Sequence, residues 1–326
     1  VIAAHADWSV DPRKRWVTVA ALSGRHWVMD APMLVGDVAT FLARLRALAG
    51  GRAVALGIDC PVGLPPAYAA QLRGFEDFPA FLRSLTPEQA FFSVARTLDE
   101  VSLARPFFPA GRISGTGHKL ALARALNLAG TAELARLVDL KTASRPSGGQ
   151  MFWTLGANQC GKAALAAWRD LIVPALHNEN LKLWPFDGGF RELAAAGQAV
   201  IAETYPAEAL RQLGLKLRGS KQAQASRQAL APPLFGVAEN LQIKMSEALA
   251  AEIRTGFGPK KSAEDPFDSL IGVLGVINVL NGNRPDTSPL TGDQWQGWVL
   301  GQTDLPIGHS AGDNAPAGSG EAAAGL

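Results

Sequence analysis

Four short segments carry acidic side chains where apolar elements begin or end: His5-Ala6-Asp7-Trp8-Ser9, Gly57-Ile58-Asp59-Cys60-Pro61, Ala202-Glu203-Thr204-Tyr205-Pro206 and Asp265-Pro266-Phe267-Asp268-Ser269. Strand ends and helix starts are where a rigid scaffold can hold several carboxylates together, and such a group persists when a divalent cation cancels its repulsion. The chemistry expected is therefore that of a metal-dependent enzyme. Asp265 and Asp268, three apart at a helix start, can project from one face, and the helix dipole favours their ionised forms. Each carboxylate also has a plain alternative. Asp265 before Pro266 is a good N-cap, and a lone Asp or Glu after a strand is commonly a turn residue.

The elements that must position these groups follow from the apolar pattern. Residues 1–4 form a first strand; 16–22 and 26–29 add two β-rich runs around Ser23-Gly24-Arg25, giving a three-strand meander. Val38, Phe41, Leu42, Leu45 and Leu48 fall at helical spacing, and 53–58 is a short buried-type run suited to a parallel strand. Residues 61–180 look helical and loop-like, with amphipathic segments at 119–141 and 162–176 and a loop at 107–117. Strand signal returns at 181–186 and 199–202. Helices are expected at 190–196, 207–213, 220–230, 237–255 and 266–280, and the Gly-, Ala-, Ser- and Pro-rich end, 308–326, reads as a disordered tail. There is no internal repeat.

Composition sets bounds. With 326 residues and 48% apolar content the chain can bury a substantial core, and its net charge of +2 does not announce a nucleic-acid binder. No apolar run approaches the roughly 20 residues needed to span a bilayer, and the first residues are too short and acidic for a signal sequence, so no membrane partner and a cytoplasmic location are expected. Two cysteines, Cys60 and Cys160, provide neither a disulfide framework nor a zinc site, and packing is their expected role. Most of the eight tryptophans, Trp16, Trp27 and Trp168 among them, sit in periodic apolar contexts and read as core.

The order of a strand with Asp7, a meander, Gly57-Ile58-Asp59-Cys60-Pro61 followed by Gly63-Leu64-Pro65, then Glu203-Thr204-Tyr205-Pro206 and a last Asp265-Pro266-Phe267-Asp268-Ser269 helix resembles the domain-of-unknown-function family 429 of predicted nucleases. The last helix also resembles the one that carries paired aspartates in RuvC-type resolvases. The resemblance implies an α/β RNase H-like fold, a mixed five-stranded sheet flanked by helices. Its core would be about 1–66 and 180–282, with a large helical insertion at about 67–179 and a C-terminal extension at 283–307. It implies metal-binding, catalytic carboxylates at Asp7, Asp59, Glu203 and Asp268, with Asp265 as a further metal ligand. It also implies Mg²⁺ or Mn²⁺ as cofactor and hydrolysis of nucleic-acid phosphodiester bonds by two ions about 4 Å apart.

Arg145, Gln159, Lys162 and Lys221 are candidates for substrate contact, although solvated charge is the commoner role for isolated basic residues such as Lys221 and Arg227. His5 alternates with Asp7 and shares its face, as an extra ligand or a plain buried histidine. Two other functions compete. A sugar-kinase or actin-like phosphotransferase needs a Gly-rich phosphate hairpin after its first strand, where this chain has Ser9-Val10-Asp11-Pro12-Arg13. A non-catalytic binding module would keep the scaffold and only some of the carboxylates. Gly111 to Lys119 superficially suggests a phosphate loop but lacks a Gly directly before the Lys and a Ser or Thr after it.

Overall fold

A computed structural model describes residues 1–156, 160–178 and 180–309. The meander forms as its alternation requires: β1 (Ile2–Asp7), β2 (Trp16–Ser23) and β3 (His26–Met29) are antiparallel neighbours, and the two-residue β4 (Met33–Leu34) adds to β2. On the other side of β1 lie parallel strands, β5 (Val54–Ile58), β7 (Ala199–Glu203) and β6 (Leu181–Leu183). With β8 (Ile243–Met245) parallel to β3, the order is β6-β7-β5-β1-β2-β3-β8. Among the described residues the fold is thus mixed α/β, with eight strands in the sheet rather than five.

The two strands that the pattern does not signal, β4 and β8, are short pieces that leave no periodic signature. β8 divides what the pattern suggests is one helix over 237–255: Gln242, at φ +58, ends the Ala231–Asn240 helix and accepts the Trp27 N–H at 2.9 Å, and a new helix runs over Glu247–Thr255. The 119–141 segment is helical only over His118–Ala125, since Asn127 at φ +55 turns the chain into short 3₁₀ turns. The 162–176 segment is helical throughout but opens into a π turn at Trp168–Ile172 just before Val173–Asn178, which contains Pro174. A proline lacks the N–H that an α turn would use, so the wider turn sits where the ladder must change register.

Both faces of the sheet are covered. One, with Ala4, Ala6, Leu56, Ile58 and Ile201, packs on Phe41, Leu42 and Leu45 and on the insertion, whose Phe78, Phe91, Phe107 and Trp168 stack edge-on. The other, with Ala3, Ala55, Val200 and Ala202, packs on the 17-residue helix Glu264–Leu280, every residue of which from Pro266 to Val279 is buried. Trp27 and Trp168 are core, as expected, and Trp16 is partly so. Cys60 and Cys160 are free, Cys60 buried. Among the described residues, no helix is long and apolar enough to cross a membrane. The expected tail falls outside the described residues from 310 onward.

Candidate functional site

Asp7 and Asp59 meet because their strands end at the same level. Ala6 pairs with Ile58, so each carboxylate leaves one residue later, and the Trp8 N–H donates to Asp59 Oδ1 at 2.7 Å. Asp268 arrives through the long helix. Gly272 seats that helix directly on His5, where a Cβ would come within 2.2 Å of the imidazole. Four residues back along the helix is about 6 Å and two residues along β1 about 6.6 Å, so the same contact carries Asp268 over Asp7. Ser269 Oγ, 2.8 Å from Thr18 Oγ1, pins this end of the helix to β2.

The three carboxyls act on one another electrostatically. Burial, then the charges of Asp59 and Asp268, push the Asp7 carboxyl far above the usual carboxylate range. Burial raises Asp59 to about 7. Asp268 is also raised by burial, against the pull of the Lys221 ammonium, which bonds to its Oδ2. Asp265, a turn earlier on the helix and half-buried, is raised to about 6 by burial and then by Glu264. Four carboxyl groups from three elements thus share one region in which ionisation is disfavoured.

Glu203 stands apart. Its partner Ile58, and Ile58's partner Ala6, belong to the sheet face that packs on the insertion, so Glu203 projects to the side opposite Asp7. There it is wholly buried and accepts from Arg136 Nη1 and Nη2 at 2.6 and 2.7 Å and from the Val62 N–H at 2.7 Å. Arg136, also 0% exposed, grips Asp139 with two further bonds of 2.9 Å. The expectation that Glu203 joins the other carboxylates is corrected on this ground: its charge is already matched by a fork of guanidinium donors. Neither Arg136 nor Asp139 stood out in the sequence, because they lie in a stretch with helical periodicity, where an Arg and an Asp three apart read as a solvated pair.

A cleft of about 500 Å³ opens beside the acidic centre at the carboxyl ends of the strands, where open α/β sheets commonly take their ligands, and Asp59, Asp268, Lys221, Tyr205, Arg145 and Arg211 line it. Arg145 donates to the backbone carbonyls of Val138 and Leu140, so it builds the wall as well as charging it. Lys162 lines an adjoining cavity with Lys14 and Trp8. Gln159 lies outside the described residues. His5 is sealed against Gly272 and held neutral by burial, its pKa lowered to about 3, which makes it core rather than a ligand. Lys221 is not a free helix charge, and Arg227 is buried at 1% exposure with its guanidinium on the carbonyls of Gly256, Gly258 and Lys221.

Compared with protein-family models, curated proteins and solved structures, the chain matches none of them, so the site rests on its geometry. The donor set suits a hard divalent cation, since oxygen ligands with disfavoured ionisation gain most from one. Among the described residues, no three His, Cys, Asp or Glu side chains are grouped as a ready cation site. Asp268 is bonded to the Lys221 ammonium.

Proposed function

We propose that the protein is a Mg²⁺- or Mn²⁺-dependent hydrolase of nucleic-acid phosphodiester bonds built on an RNase H-like scaffold. One observation carries the reading: Asp7, Asp59 and Asp268, from β1, the end of β5 and the last helix, come together beside a cleft with their ionised forms destabilised by burial and by one another. The meander followed by parallel strands supports the scaffold. Asp7, Asp59 and Asp268 would hold the ion, with Asp265 next to them, and Glu203 is left to anchor the insertion. A bound ion supplies a water of lowered pKa and cancels charge on the phosphate.

The chain's own groups divide the remaining work. Asp59, its Oδ1 fixed by the Trp8 N–H, has one oxygen committed and one to offer. Asp268 sets its carboxylate against the Lys221 ammonium, and Lys221, Arg145 and Arg211, the last paired with Glu208 at 2.7 Å, stand among the carboxylates of the cleft as the cations that would meet a phosphate backbone. The test is cleavage of single-stranded, duplex and branched DNA and RNA with Mg²⁺, Mn²⁺, Ca²⁺ or EDTA. Activity with Mg²⁺ or Mn²⁺ that vanishes in EDTA, stays near background with Ca²⁺ and is lost in Asp7→Asn and Asp268→Asn is expected. Cleavage that persists in EDTA and in both variants would refute the reading, and binding without cleavage under every condition would leave a non-catalytic module.

A further inference from the structure

Lys221 is mounted in the acidic centre in a way that a solvated surface lysine does not need. The loop that carries it is tied down by Arg227, which donates to the Lys221 carbonyl and, at 2.8 and 2.7 Å, to the carbonyls of Gly256 and Gly258. Those glycines form the turn after the Glu247–Thr255 helix at φ +59 and +83, and a Cβ on Gly256 would come within 2.9 Å of the Gln224 carbonyl. One buried guanidinium, desolvated at a cost and bonded among the described residues to backbone carbonyls, thus joins two loops at the entrance to the long helix. What the mount presents is the Lys221 ammonium, bonded to the buried Asp268 while its stem stays 48% exposed at the cleft.

We infer that Lys221 is the second cation of this centre, so that the site takes one divalent ion and an ammonium group where a two-ion site would take two. The inference rests on the metal-dependent reading above. Asp7, Asp59, Asp265 and Asp268 offer at most four negative charges, and Lys221 supplies one positive charge next to Asp268, the residue that a second ion would have to share. An ammonium has three donors and only one is used on Asp268, so the others remain for a phosphate oxygen in the cleft that both residues line. A fixed cation so near also repels a second ion strongly.

The experiment counts Mn²⁺ bound to the full chain, by electron paramagnetic resonance of the free ion during equilibrium titration. Wild type should bind one ion, Lys221→Met two, and Lys221→Arg, which keeps the charge, one again. Two ions in wild type, or one in Lys221→Met with affinity unchanged, would overturn the inference and leave the metal-dependent reading intact. No ion in either wild type or Lys221→Met would overturn both. Circular dichroism of each variant confirms that the count is taken on folded protein.

Discussion

Two groups of carboxylates sit at the same edge of the sheet, on opposite faces, and they have opposite electrostatic fates. Glu203 and Asp139 are closed around Arg136, each with two guanidinium bonds, and their charges are answered within the fold. Among the described residues, Asp7, Asp59 and Asp268 have one ion pair, that of Asp268 with Lys221, and are pressed toward the protonated form. A buried, fully bonded ion pair ties elements together, whereas a group whose charges are left in conflict is arranged for something that arrives later. The first group joins the insertion to β7 and, through the Gln296 carbonyl 3.2 Å from Arg136 Nη1, to the C-terminal extension. Both border the cleft, the first through Asp139 and the second through Asp59 and Asp268.

Breaking the closed group should give the largest effect. Arg136→Met strands two buried carboxylates, and urea denaturation should show a loss of about 3–5 kcal/mol, the cost of an uncompensated buried charge. Stability within 1 kcal/mol of wild type would mean that the interior solvates those charges by another route. Glu203→Gln is milder, because the amide still accepts from the Val62 N–H and Arg136 keeps Asp139. About 2 kcal/mol should be lost, with Mn²⁺ affinity unchanged. A tenfold fall in Mn²⁺ affinity would instead return Glu203 to the ligand set.

How much of this was legible beforehand differs between the two groups. Asp7, Asp59 and Asp268 stand at the junctions of apolar elements, and the chain order of those elements was enough to suggest that they meet. Glu203 has the same local signature, but its fate is decided by the parity of the β5–β7 register and by Arg136 in the insertion, 67 residues away, and neither is written in the local pattern. The meander and the long helix were readable from periodicity. The divided helix around β8 was not, because its boundary is one residue, Gln242, adopting a left-handed backbone that its type does not require. The seat of the long helix on His5 depends on Gly272, a glycine within an apolar helical run that reads as neutral until the distance to the imidazole is known.

Cation addition sharpens the comparison further. Mg²⁺ at about 100 times its dissociation constant should stabilise wild type by about 2.7 kcal/mol, seen as a rise in melting temperature, because only the folded chain assembles the site. The rise should disappear in Asp268→Asn and survive in Glu203→Gln. A rise of equal size in Asp268→Asn would place the ion elsewhere.

The smallest expected effect has the most informative sign. Asp59 is raised to about 7 in the folded chain and has its ordinary value, near 4, when unfolded, so as pH climbs between these values the unfolded state gives up its proton first. Folded Asp59 therefore makes wild type in EDTA lose stability from about pH 4 to about pH 7, after which the penalty is constant. Asp59→Asn keeps an oxygen for the Trp8 N–H and removes the charge, so its stability should match wild type near pH 4 and exceed it by about 1–2 kcal/mol at pH 8. Arg136 offers the contrast, since its partners' charges are wanted: Glu203→Gln should be the less stable protein at pH 8. If Asp59→Asn were also less stable than wild type in EDTA at pH 8, the two carboxylate groups would be alike, and the open one would be a structural ion pair completed by Lys221.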